Sequence, residues 1–163
     1  ENNYSVCVMI THGSKKFLLT GDLEDEGEEK LVEYNDLSKV DVYKAGHHGS
    51  YTASSDALLS VIKPKIVCVC CCAGSLEYTE TPENTFPTQD FINRIAQYTS
   101  KVFVTTLCVN WETGEYTSFN GNIVIWAKVS EQINVDCSNN EIILKDTDWF
   151  KANRTTPTEW QTE

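Results

Sequence analysis

The sequence has no apolar run near the roughly 18 residues needed to span a bilayer, and its start, ENNYSVCVMI, has no basic stretch leading into an apolar one. Neither a membrane-spanning segment nor a secretory leader is expected. The seven cysteines hold no second C-x-x-C to pair with the Cys68–Cys71 spacing inside VCVCCC, so a zinc ribbon or finger is not expected. No internal repeat appears at solenoid periods. Basic residues are scarce, with 13 Lys and Arg against 24 Asp and Glu and a formal net charge of −11. A protein that neutralises many phosphates normally shows the opposite balance, so a large nucleic-acid footprint is disfavoured and only a local basic groove stays open.

What is present suits one globular domain. The chain has 163 residues, 40% hydrophobic and 23% charged, close to ordinary globular composition. Four cysteines fall in VCVCCC, where strand alternation would place Cys68, Cys70 and Cys72 on one face and Cys71 on the other. Free cysteine packs as a small hydrophobe, so a core strand in a reducing compartment, and hence a cytoplasmic protein, is expected. The sequons beginning at Asn3 and Asn153 would matter only in a secreted protein.

The hydropathy pattern alternates strands and helices. Ser5 to Ile10 and Phe17 to Thr20 read as a hairpin closed by THGSKK, with His12 as plain turn. Asp25 to Tyr34 reads as a helix with an acidic, solvated face, and Val40 to Ala45 as a strand. Ser55 to Ile62 reads as a helix closed by Pro64, and Ile66 to Cys72 as a strand buried on both faces. A long hydroxyl-rich loop then leads to a helix from Thr88, as N-cap, to Tyr98. Lys101 to Thr106 is the next strand, and YTSFNGNIVIWAKV suggests a hairpin with a type I′ turn at Asn120–Gly121. Residues 1–135 are expected to form the domain, and 136–163 an extension packed over it that frays after Thr155.

Strands joined by crossover helices run parallel, so the segments that follow them emerge at one sheet edge, where open α/β folds bind ligands. The chain has three histidines, and two of them, His47 and His48, follow the second such strand; Asp22 follows the first. If the strands are neighbours, carboxylate and imidazole converge. That donor set suits zinc, manganese or iron, and such an ion would lower the pKa of bound water toward about 7. Two plainer readings stay open: Asp22 as a helix N-cap and the histidine pair as loop residues.

The stretches FLLTGDLEDEGEEKL and VDVYKAGHHGSYTASSDALLSVIKPKIVCV resemble the second half of a metallo-β-lactamase-fold hydrolase of the ComEC-type competence group, over about Asn3 to Val129. The resemblance implies the second half of an αββα sandwich, a mixed sheet with helices on its outer face. Asp22 then matches the carboxylate that bridges two metals and His48, or else His47, the imidazole on the second metal. Lys44 and Ser50 match motif positions and, with Thr52, are the candidate substrate contacts; a strand lysine and a turn-stabilising hydroxyl are the plainer readings of the first two. The family's His-Pro before the helix after the long loop is replaced by Phe86–Pro87, and its His-x-His-x-Asp-His signature is absent.

The function implied is a metal-dependent hydrolase of phosphodiester or related ester bonds acting through metal-activated hydroxide, with up to two ions, zinc first. This chain would supply part of the site; the first half of the fold is expected in a longer precursor, on a partner chain, or outside this numbering. A small-molecule or nucleotide-type phosphodiester is the implied substrate. The alternative is a non-catalytic binding module derived from the same fold.

Overall fold

Six strands lie side by side in chain order in the computed structural model, which describes residues 1–161. They are β1 (Val8–His12), β2 (Lys15–Leu19), β3 (Val42–Lys44), β4 (Ile66–Ala73), β5 (Val102–Asn110) and β6 (Glu115–Ser118). Strands β2 to β5 are parallel, and the edge strands β1 and β6 are antiparallel to their neighbours. The parallel strands are joined by α1 (Asp25–Tyr34), α2 (Asp56–Ile62) and α3 (Gln89–Ala96). Ser55 and Thr88 cap α2 and α3 by accepting from the backbone N–H three residues on. Strand β1 runs on to His12, which pairs with Lys15, so this histidine ends a strand instead of lying in the turn.

Alternation along the strands separates two apolar surfaces. Leu18, Tyr43, Val67, Val69, Val102 and Val104 join Leu58, Leu59 and Ile62 of α2 and Phe91, Ile92 and Ile95 of α3 in the main core. Each such side chain, fully buried, stabilises the fold by about 1.5–3 kcal/mol relative to exposure. On the opposite face Val42, Ile66, Cys68 and Phe103 meet Ile123, Ile125, Val135 and Cys137. The last four belong to a second, two-stranded sheet of β7 (Ile123–Trp126) and β8 (Asn134–Cys137).

The hairpin expected at Asn120–Gly121 does not form. β6 pairs with β5, and β7 pairs with β8. Asn120 is instead a buried corner: its amide nitrogen donates to the carbonyls of Val104 and Ile142 and its amide oxygen accepts from Ile142 N. Those bonds satisfy backbone where the chain leaves one sheet for the other, a task a solvent-facing turn cannot perform.

Two further expectations are corrected. A register shift between Val69 and Cys72 interrupts the alternation of the cysteines, leaving Cys68 buried, Cys70 exposed, and Cys71 and Cys72 half-buried, so β4 is buried on both faces only in its first half. The chain does not fray at Thr155: Leu144, the short helix α4 (Asp148–Asn153) through Phe150, and Trp160 enter the main core. Residues 162 and 163 lie outside the described residues. Among the described residues no helix is long and apolar enough to cross a membrane.

Candidate metal centre

The loops after β2, β3 and β4 leave the sheet at one edge, because those strands are parallel neighbours. Asp22 and His48 meet there, with Asp22 Oδ1 3.5 Å from His48 Nε2. The opposite ring nitrogen, Nδ1, lies 2.7 Å from the carbonyl oxygen of Cys70. A carbonyl only accepts, so Nδ1 carries a proton, and Nε2 is the ring nitrogen that faces Asp22. Asp22 is not a helix cap, since Glu24 occupies the N-cap position of α1.

The backbone that presents the pair is strained. His47 (φ 40°, ψ 50°) and His48 (φ 57°, ψ 19°) are both left-handed, a conformation costing a non-glycine residue about 1–3 kcal/mol. His47 N donates to Gly21 O at 3.1 Å, tying this turn to the Asp22 loop, and Ser50 N donates to His47 O at 2.9 Å. Gly49 follows at φ 80°, with an added Cβ 2.9 Å from Pro87 Cβ. Buried Tyr43 braces the turn from below: its hydroxyl accepts from Gly46 N at 3.0 Å and lies 3.1 Å from Ser54 Oγ. Burial, and then the charge of Glu28, push that phenol well above its usual range.

His47 turns to a different partner. Its Nδ1 lies 3.2 Å from Glu24 Oε1, and Thr52 Oγ1 donates to the same carboxylate oxygen at 3.0 Å. Ser50 is buried, with its hydroxyl 3.0 Å from Thr52 Oγ1 and accepting from Thr52 N, an arrangement that favours a turn-stabilising role over contact with substrate. Lys44, the last residue of β3, lines an apolar groove of ≈ 450 Å³ between the two sheets, together with Phe17, Val42, Cys70 and Ile123.

Three residues that contribute to the site were not read as contributors from the sequence. Glu24 read as one more helix-start acid, although its position two residues past Asp22 places it at the same edge. Phe86 read as a missing histidine; its ring stacks on His48 (centroids 6.2 Å apart, 20° between planes) and tilts against His47 at 5.9 Å. Glu28 read as part of a solvated helix face but is buried, accepting from Ser54 N and Ser55 N at 2.8 and 2.7 Å; burial raises its pKa against those bonds. At the rim stands Tyr78, whose phenol Glu77 and to a lesser degree Asp22 push up.

The residues present fit two ligands of a divalent ion: a carboxylate, and an imidazole held in the ligating tautomer by a carbonyl behind it. Among the described residues no group of three or more His, Cys, Asp or Glu side chains is arranged to hold a metal.

Residues 1–73 match the family model described as the Metallo-beta-lactamase superfamily. Recombination protein 2 of Haemophilus influenzae is 36% identical over 69 residues, which cover 42% of this chain and 8% of that protein. ComE operon protein 3 of Bacillus subtilis is 37% identical over 65 residues, 40% of this chain and 8% of the relative. Competence protein ComA of Neisseria gonorrhoeae is 32% identical over 108 residues, 66% of this chain and 15% of the relative. The chain thus spans only a small part of the length of these relatives, and no solved structure matches it. Family match, relatives and a mixed six-stranded sheet that brings Asp22 to His48 agree: the chain is similar to the metallo-β-lactamase superfamily and, within it, to ComEC-type competence proteins.

Proposed function

We propose that Asp22 and His48 are two ligands of a divalent-metal site, zinc first with manganese and iron as alternatives, in a hydrolase of phosphodiester or related ester bonds. The observation that carries this is the Asp22–His48 pair, with Nδ1 of His48 spent on the Cys70 carbonyl. The remaining ligands come from a second segment, in the same protein or on a partner chain. When bound, the ion supplies Lewis-acid activation of water near neutral pH. Asp22 contributes negative charge and His48 a neutral nitrogen donor at a fixed orientation. His47, backed by Glu24 and Thr52, stands beside them as the side chain placed to contact substrate.

Phe86 favours a second reading, a non-catalytic binding module, because it packs on both imidazoles where the resembled family carries a histidine. Metal analysis and hydrolysis of bis-p-nitrophenyl phosphate by the full-length protein separate the two. The enzyme reading expects stoichiometric transition metal and turnover, both lost in Asp22→Ala. Full-length protein without bound metal, or turnover indifferent to Asp22→Ala, would leave the binding module.

A further inference from the structure

We propose that Arg154, in the C-terminal segment, is a positioning residue for His48 and acts through Phe86. The inference rests on the reading of His48 as a metal ligand. Phe86 lies in the long connection between β4 and α3, whose one regular piece is the short 3-10 turn Pro82–Asn84. A ring on such a loop would ordinarily wander, yet the backbone around Phe86 is held at three consecutive carbonyls. Arg154 Nη2 donates to Thr85 O at 2.7 Å, Gly74 N donates to Phe86 O at 3.0 Å, and Arg154 Nε donates to Pro87 O at 3.0 Å. Arg154 Nη2 also reaches Thr85 Oγ1 at 3.0 Å. The planar fork of a guanidinium suits two carbonyls flanking one residue; a lysine ammonium on its flexible stem does not reproduce that geometry.

The clamp is itself anchored. The Arg154 guanidinium lies 4.8 Å from the centroid of the Trp149 ring, and Trp149 packs on Gly74, where an added Cβ would fall 2.7 Å from Trp149 Nε1. Arg154 N donates to Phe150 O at 2.8 Å, and Phe150 is fully buried in the main core. On its other side the clamped strip meets the histidine turn: Thr88 N donates to Gly49 O at 2.9 Å, and Pro87 leaves no room for a side chain at Gly49. A continuous run of packed groups therefore joins Phe150, Arg154 and Phe86 to the rings of His47 and His48. An arginine needed only to pin the loop could bind it anywhere along 74–88; this one binds the residues on either side of the ring that covers the ligand.

The test uses the full-length protein, with zinc affinity read by competition against a chromophoric chelator and ring ¹⁵N shifts of His48 read in the metal-free state. Arg154→Ala is expected to lower zinc affinity about 10-fold, in the range seen when a group behind a ligand is removed. Phe86→Ala is expected to do the same, and the double variant to be no weaker than Phe86→Ala alone, because the two act in series. Arg154→Lys should recover part of the loss, and it also carries the test if Arg154→Ala does not fold. Zinc affinity within twofold of wild type in a folded Arg154 variant, or losses that multiply in the double variant, would overturn the proposal. Asp22→Ala separates the two readings: if it binds zinc as wild type does, the ligand reading fails, and the His48 shifts alone decide. Shifts that change in Arg154→Ala support the positioning role, and unchanged shifts overturn it.

Discussion

The imidazole of His48 hangs from the main chain of Cys70: Nδ1 lies 2.7 Å from a carbonyl oxygen two residues beyond Cys68, where pairing between β3 and β4 stops. β4 runs on past the end of β3, so this carbonyl has no strand partner on that side and takes a side chain instead. The adjoining register shift, between Val69 and Cys72, is of the kind that re-aims groups beside active sites. The contact belongs to the backbone, so Cys70→Ser should leave zinc affinity within about threefold, whereas His48→Ala should cost more than about 100-fold. Chelator competition on both variants measures the contrast; equal losses would mean that the cysteine side chain, not its carbonyl, holds the ring.

Gly49→Ala should damage the same ring from the other side. Its φ of 80° disfavours any side chain, and the new methyl would meet Pro87 and Phe91 at 2.9 and 3.3 Å. A loss of about 1–3 kcal/mol is expected in chemical denaturation, with weakened zinc binding in the fraction that folds. Unchanged stability would show that the turn has slack the geometry does not suggest.

The parts of this site legible in the sequence were those encoded by strand order. Asp22 and His48 lie 26 positions apart, yet the β2-α1-β3 crossover makes their meeting a consequence of local pattern and right-handed connection. Glu24, Tyr43 and Phe86 were not legible, because what each touches is set by packing at long sequence range. Tyr43 is one residue in a strand until its hydroxyl is seen to collect Gly46 and Ser54. Asn120 failed for the opposite reason: Asn-Gly is a strong local turn signal, and tertiary demand for its amide overrode it. The polar tail read as an extension that frays after Thr155 because its anchors, Leu144, Phe150 and Trp160, are too sparse to form a periodic face.

The cysteines should differ sharply toward alkylation. Cys70 is exposed, whereas burial pushes the Cys68 thiol up to about 12 and the Cys71 thiol higher still, so neither forms thiolate near neutral pH. With limiting iodoacetamide at pH 8, peptide mass spectrometry should find Cys70 modified first and Cys68 and Cys71 protected until the protein is unfolded. Early labelling of Cys68 would contradict its place between the two sheets.

Asp41 gives the fold an acid-sensitive element at the edge opposite the candidate site. Burial works to raise its pKa, but Lys65 Nζ at 2.8 Å, Lys16 N at 2.9 Å and the nearby lysine charges outweigh it, and the net shift is downward. A carboxylate with a depressed folded-state pKa binds its proton more readily when unfolded. Its contribution is therefore complete above the unfolded value, about 3.9, and is lost as pH falls through the lower folded value. Asp41→Asn should lower stability near neutral pH by about 1–2 kcal/mol and lose less than wild type on going from pH 5 to pH 2.5. Because Lys65 is largely exposed, salt should weaken its share of this effect more than that of the Lys16 backbone bond. Urea unfolding at pH 7, 5 and 2.5 measures the difference, and parallel curves for the two proteins would show that Asp41 carries no linkage.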